Sequence, residues 1–141
     1  MIKKLLILLI VCQSLNVFGQ EKIWEETPAQ KKERMQWWTD ARFGMFIHFG
    51  LYSQAARHEW VMRKEKMSVE EYEKYFELFN PDLYDPKVWA KKAKAAGMKY
   101  AVITTKHHEG FTLFDSEYTD YKITNTPYGK DAIQEWVDAF R

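Results

Sequence analysis

The chain has 141 residues, the size of one ordinary domain, and its 46% hydrophobic and 29% charged residues are the mix of a folded chain rather than a disordered one. With 21 Lys and Arg against 20 Asp and Glu, and no basic block to track a phosphate backbone, the composition argues against nucleic acid as the main partner. The aromatic share is high at 16%; rings serve a core first, but clustered ones also make platforms on which sugars and bases stack.

The first 20 residues have the layout of a secretory signal peptide. Lys3 and Lys4 supply the positive start, residues 5–12 an apolar run too short for a membrane span, and Val17-Phe18-Gly19 a cleavage region. Val11 before Cys12 argues against a lipid anchor, which needs a small residue there. Removal of this segment leaves 19 Lys and Arg against 20 Asp and Glu, a net charge of −1, and takes away the only cysteine. The mature chain is then expected in a periplasmic or extracellular space, or in a lysosomal-type compartment of a eukaryote. It would carry no disulfide, thiol nucleophile or cysteine metal ligand.

Residues 28–38 are helix formers ending in Trp37-Trp38 and read as an amphipathic leading helix. Next, Phe43, Met45, Phe46, Ile47 and Phe49 form an almost continuous apolar run bracketed by Gly44 and Gly50, which predicts a strand buried on both faces. Residues 53–67 follow neither period and read as a loop. Ser68 with Glu71 is a capping-box pattern, and Val69, Tyr72, Phe76 and Phe79 fall at helical spacing behind it until Asn80-Pro81. Asp85-Pro86 opens a further helix through Trp89, Ala93 and Ala96 to Gly97. Residues 99–105, KYAVITT, read as a second buried strand. From Asp131, a last helix places Ile133, Trp136, Val137 and Phe140 on one face.

Strands alternating with helices predict an α/β fold with a parallel sheet and right-handed crossovers. Two strands do not make such a sheet stable, and the last helix has an apolar face with nothing after it to pack on. The chain therefore reads as the front piece of a larger α/β domain.

In parallel α/β folds the functional groups gather at the C-terminal ends of strands. The first strand ends at His48, with Phe46 two residues earlier on the same face. The second runs through Thr104, Thr105 and Lys106 to His107 and His108. The loop after the first strand carries Arg57, His58, Glu59 and Trp60. A carboxylate beside an indole suits a polyol: the carboxylate accepts from hydroxyls and the ring covers a C–H face. Each feature also has a plain structural reading, with Phe46 as core, His48 as a rim residue and Trp60 packed on the domain. Adjacent histidines lack the i, i+2 spacing that strand-borne zinc ligands use, and H-E-x-x-H, G-x-S-x-G, G-K-[ST] and G-x-G-x-x-G signatures are absent. Lys91, Lys92 and Lys94 read as a solvated helix face, and Glu70 and Glu71 as residues suited to a helix N-terminus.

RFGMFIHFGLYS, then HEW, then WAKKAKAAGMKYAVITTKHHEGFTLFDS together closely resemble the start of the catalytic domain of family 29 glycoside hydrolases, the α-L-fucosidases. The resemblance runs from Gln36 to Arg141. It implies a (β/α)8 TIM-like barrel, of which this chain would hold the first two βα units, with residues 21–141 the N-terminal portion of that catalytic domain. It implies hydrolysis of terminal α-L-fucose from glycoconjugates by a retaining double displacement, with no cofactor and no metal. The nucleophilic aspartate and the acid/base would come from later chain, so no catalytic residue is expected in this one. The fucose-binding residues carried over are His48, Glu59, Trp60, His107 and His108, with Phe46 added as an apolar contact for the fucose methyl group. The implied partner is a fucosylated glycan. Phe49 stands where the family often has Trp, Glu109 where Asp is common, and Phe114 where Trp is frequent; each keeps the chemical type. Two other readings stay open: a non-catalytic, lectin-like fucose-binding protein, and a metal-dependent barrel hydrolase.

Overall fold

A computed structural model describes residues 25–141, so the proposed signal segment, residues 1–20, lies outside the described residues. The chain divides into two compact units, one ending at Asp40 and one spanning Ala41–Arg141.

The first unit contains most of helix α1, Pro28–Ala41. Proline stands at its first position, and Thr27 with Gln30 forms a reciprocal cap that the sequence reading did not anticipate. The Thr27 Oγ1 accepts from the Gln30 backbone amide at 3.3 Å, and the Gln30 side-chain oxygen accepts from the Thr27 amide at 2.9 Å. Just upstream, Arg34 grips Glu26 through two hydrogen bonds of 2.7 and 2.9 Å. The expected amphipathicity is not realised: the apolar residues of α1 do not gather on one side, and none of its residues is buried.

The second unit is built on two parallel strands, β1 (Gly44–Ile47) and β2 (Tyr100–Ile103), paired in the register Gly44↔Tyr100 through Ile47↔Ile103. Between them run α2 (Val61–Lys64), α3 (Val69–Glu77) and α4 (Pro86–Ala95); α5 (Ala132–Phe140) follows β2 after a long connection. The α/β class and the order of elements are as the sequence predicts. Gly44 leaves room for the ring of its register partner, since a Cβ there would lie 2.5 Å from ring atoms of Tyr100 and that ring would have to move. The cap signals also hold. Ser68 Oγ accepts from the Glu71 amide while Glu71 accepts from the Ser68 amide. Asp85 caps α4 by accepting from the Val88 amide, and Asp131 caps α5 by accepting from that of Gln134.

Two expectations are corrected. The strands are not buried on both faces: the register partners Phe46 and Val102 are 63% and 43% exposed on the same face of the pair. An apolar run records what a strand can bury, and a two-stranded pair offers too few neighbours to cover it. The stretch 53–67 is not all loop. It opens in a 3-10 helix, Leu51–Ala55, and contains the single turn of α2, because Leu51, Tyr52 and Val61 are drawn into the core. Segments of one turn are shorter than a helical period, so periodicity is blind to them.

The core lies beyond the C-terminal ends of the strands. Leu51, Tyr52 and Val61 from the first connection meet Tyr72 and Phe79 from α3 and its exit, and Phe111, Leu113 and Ile123 from the segment after β2. That segment is pinned by the buried Thr112, whose amide donates to Tyr121 O at 3.1 Å and whose carbonyl accepts from the Ile123 amide at 2.9 Å. Tyr84 donates to the Ala132 carbonyl at 2.7 Å and Tyr128 to Glu135, which fixes α5 to the same core. The consequence for function is a stiff floor beneath the strand ends.

Candidate functional site

His48 follows the last residue of β1 directly, and His107 and His108 come a few residues after the end of β2, outside regular strand geometry. The backbone there need not alternate, so both rings of the adjacent pair can serve one place. The turn from His107 to Gly110 closes with the Gly110 amide donating to the His107 carbonyl at 3.1 Å, and Gly110 takes the left-handed conformation at φ 89°.

The two strand ends are tied by Thr104. Its Oγ1 accepts from the Phe49 amide and donates to the Phe49 carbonyl, each at 3.2 Å. A hydrogen bond of 3.1 Å also joins the Tyr52 hydroxyl to Thr104 Oγ1. Burial raises the Tyr52 phenol above its ordinary pKa, the Thr104 bond opposes this, and the charges of Glu109 and Glu59 add to the rise. Burial thus favours the protonated phenol.

On this base the rings form a continuous cluster. His48 contacts Phe46 at 4.6 Å between centroids and His107 at 5.9 Å, edge to face. His107 is the hub, with Tyr52 at 5.0 Å, Trp60 at 5.4 Å and His108 at 4.8 Å. His108 lies flat on Trp60, 4.2 Å apart with 6° between planes. The structure thus brings together Phe46, His48, Trp60, His107 and His108 from three separate stretches of chain.

Glu59 belongs to the same place electrostatically. Its carboxyl is held below the ordinary range, first by a hydrogen bond from its own backbone amide and then by the positive charge that His48, His58 and His107 can carry. The loop presenting Glu59 and Trp60 is clamped across its base. Arg57 holds Glu65 through hydrogen bonds of 2.5 and 2.7 Å and also donates to the Ala55 carbonyl.

The arrangement offers ring nitrogens, a carboxylate and aromatic faces in one cluster, the equipment for a polyol with both hydroxyl and C–H surfaces. A metal is the other use for such groups, and the ligand atoms of His107, His108 and Glu109 lie within 4.8 Å of one another. Donors sharing a tetrahedral zinc at about 2.1 Å stand about 3.4 Å apart. Within this group His107 Nδ1 and Glu109 Oε2 stand 3.4 Å apart, while the His108 ring lies flat on Trp60, a ring-to-ring arrangement that suits an organic ligand.

Sequence reasoning did not single out Tyr52 or Arg57 for the site. Tyr52 follows His48 by four residues with no periodicity to mark it, and its part depends on Thr104, 52 positions away in the chain.

Comparison with known proteins finds relatives for nearly the whole chain. Residues 10–141 match the family described as Alpha-L-fucosidase. Human plasma alpha-L-fucosidase is 34% identical over 147 residues, covering 92% of this chain and 31% of that protein. The alpha-L-fucosidase of Dictyostelium discoideum is 28% identical, over 94% of this chain and 34% of its own length. Among solved structures, alpha-L-fucosidase isoenzyme 1 from Paenibacillus thiaminolyticus superposes with a TM-score of 0.77 at 66% identity, covering 79% of this chain and 26% of that one. A GH29 alpha-L-fucosidase from Bacteroides thetaiotaomicron, trapped as a covalent intermediate with 2-fluoro-fucosyl fluoride, superposes with a TM-score of 0.72 at 40% identity, over 86% of this chain and 29% of that one. The chain spans about a third of the length of these curated relatives. The match over nearly the whole chain, at these identities, places it in the alpha-L-fucosidase family.

Proposed function

We propose that this chain supplies the fucose-binding rim of an α-L-fucosidase, and that the whole protein hydrolyses terminal α-L-fucose from glycoconjugates with retention of configuration. The observation that carries the reading is the clustering of His48, Trp60, His107 and His108, with Glu59 feeling the charge of the same histidines. The two parallel strands become the first βα units of a (β/α)8 barrel, whose C-terminal face is where such groups collect.

Within this reading the residues bind and orient rather than react. Glu59, ionised, accepts from sugar hydroxyls; the histidine nitrogens complete that network; Trp60 covers a C–H face. Phe46, next to His48 and exposed toward solvent, meets the C6 methyl group. Retention requires two carboxyl groups about 5–5.5 Å apart, one attacking the anomeric carbon and one protonating the leaving oxygen and then activating water. Both are assigned to later chain. The trapped intermediate of the Bacteroides relative supports a double displacement. The polar start of the sequence followed by an apolar run supports export, and no described helix is long and apolar enough to cross a membrane.

The test is hydrolysis of an aryl α-L-fucoside by the whole protein, followed by NMR of the first sugar released. α-L-Fucose as the initial product is expected. Binding of fucose without any release of aglycone would instead assign a lectin-like role.

A further inference from the structure

His107 is the hub of the ring cluster, yet one of its nitrogens is shut away from solvent. Its Nδ1 is buried and makes no hydrogen bond, and the atom facing it is Glu109 Oε2, also buried and without a hydrogen-bond partner. They stand 3.4 Å apart, and their side chains are 15% and 2% exposed. A charge-assisted N–H···O bond closes at about 2.7–2.9 Å, so the pair is aligned as partners but not drawn fully together. Buried polar groups need partners, and each of these two is the other's nearest remedy.

The backbone explains the alignment. The turn closed between His107 and Gly110 keeps residues 107 and 109 close, and their side chains meet. The Glu109 side chain is then walled in by Met62, Val69, Tyr72 and Tyr121, which with Glu73 line a cavity of about 250 Å³ under the site. Glu109 faces that cavity and the back of His107, and with so little exposure it does not reach a ligand at the opening.

We propose that Glu109 is a positioning residue: it accepts the Nδ1 proton of His107, holds the neutral imidazole in the Nδ1–H tautomer, and so leaves Nε2 as a hydrogen-bond acceptor for a hydroxyl of the ligand. A histidine's ligand-facing nitrogen takes its character from the bond made by the other one. The specificity that follows is for a hydroxyl that donates toward His107. The tautomer assignment stands independently of the fucose reading; the identity of that hydroxyl as one on fucose rests on it.

The test is long-range ¹H–¹⁵N NMR of the histidine side chains in the whole protein without ligand, at mildly alkaline pH. The Nδ1–H tautomer is expected for His107 in the wild type. Glu109→Gln, whose amide oxygen still accepts, should keep it, and Glu109→Met should lose it. In the kinetic arm, Glu109→Met should raise KM for an aryl α-L-fucoside by about tenfold, with Glu109→Gln closer to wild type. An Nε2–H tautomer in the wild type overturns the proposal whether or not any variant folds, and so does an unchanged tautomer in Glu109→Met. If the tautomers behave as expected but no fucoside binds, the positioning role stands and the fucose reading fails.

Discussion

The hydroxyl of Tyr52 and the Oγ1 of Thr104 meet at 3.1 Å and join the exit of β1 to the exit of β2. Because Thr104 also bonds both the amide and the carbonyl of Phe49, one hydroxyl fixes the distance between the stretch carrying His48 and the stretch leading to His107 and His108. The geometry of the site depends on it.

Thr104→Val keeps the shape but strands the Phe49 amide and the Tyr52 hydroxyl. The expected loss is about 1–3 kcal/mol, from leaving partly buried polar groups unpaired. Urea denaturation of the whole protein checks it, with Thr104→Ser near wild type. A Thr104→Val midpoint equal to wild type contradicts the role given to this hydroxyl.

Trp60 supports His108 through the stack at 4.2 Å as well as offering its own face. Trp60→Ala should weaken fucose binding by about tenfold or more, and Trp60→Phe by less, since aromatic contacts of this kind contribute about 0.5–1.5 kcal/mol beyond area burial. Competitive inhibition by free fucose reads the effect, and equal affinities for the three proteins would remove Trp60 from the site.

Phe46, 63% exposed beside His48, is available to an apolar group of a ligand. Burying one methyl group is worth about 0.8 kcal/mol. Phe46→Ser should therefore lower kcat/KM for an α-L-fucoside about fourfold and leave the corresponding 6-hydroxy sugar nearly unaffected. Parallel losses on the two substrates count against a methyl contact.

Glu59 has a depressed pKa, so it stays ionised to lower pH than its ordinary 4.5. The sign follows directly: any contribution of the carboxylate to binding or stability is complete above the ordinary value and is lost only as pH falls through the lowered one. The part of fucose affinity that Glu59 carries should persist as pH falls to 4.5 and decline below it. Glu59→Gln should bind more weakly at neutral pH and lack that acid limb. An acid limb of the same position in Glu59→Gln assigns it to another group.

Residues 21–141 expressed alone should release no aglycone from an aryl α-L-fucoside, since both reacting carboxyls are assigned elsewhere. They should also bind a dye for apolar surface. Phe46 and Val102 lie exposed on one face of the strand pair, and Trp136, Val137 and Phe140 line an open groove of about 770 Å³ beside β2. Clear turnover by this stretch refutes the assignment of the catalytic pair.

Much of this was readable along the chain, and the reasons are local. Ser68 with Glu71, Asp85 with Pro86, and Asp131 are caps acting over three residues, so adjacency in sequence is adjacency in space. The apolar runs around Phe46 and Val102 announce strands because a short continuous apolar run is a property of a few consecutive residues. The positions of His48, His107 and His108 at strand ends follow from the same reading. The extent of burial did not: Phe46 is exposed because burial is set by neighbouring strands, which no short window reports.

The site's assembly belongs to the fold. His108 meets Trp60, and Tyr52 meets Thr104, across 48 and 52 positions of chain, through contacts that exist only once β1 and β2 pair in register. The pairing of His107 Nδ1 with Glu109 is close in sequence, yet its meaning comes from burial beneath the loop and α3, which denies both atoms water. Residue types and local spacing were enough to show which chemistry the chain carries and at which end of the strands it lies. Which side chains meet, and which polar atoms lose contact with water, were decided by long-range packing, because hydrogen-bond partners and solvent exclusion are properties of the packed molecule.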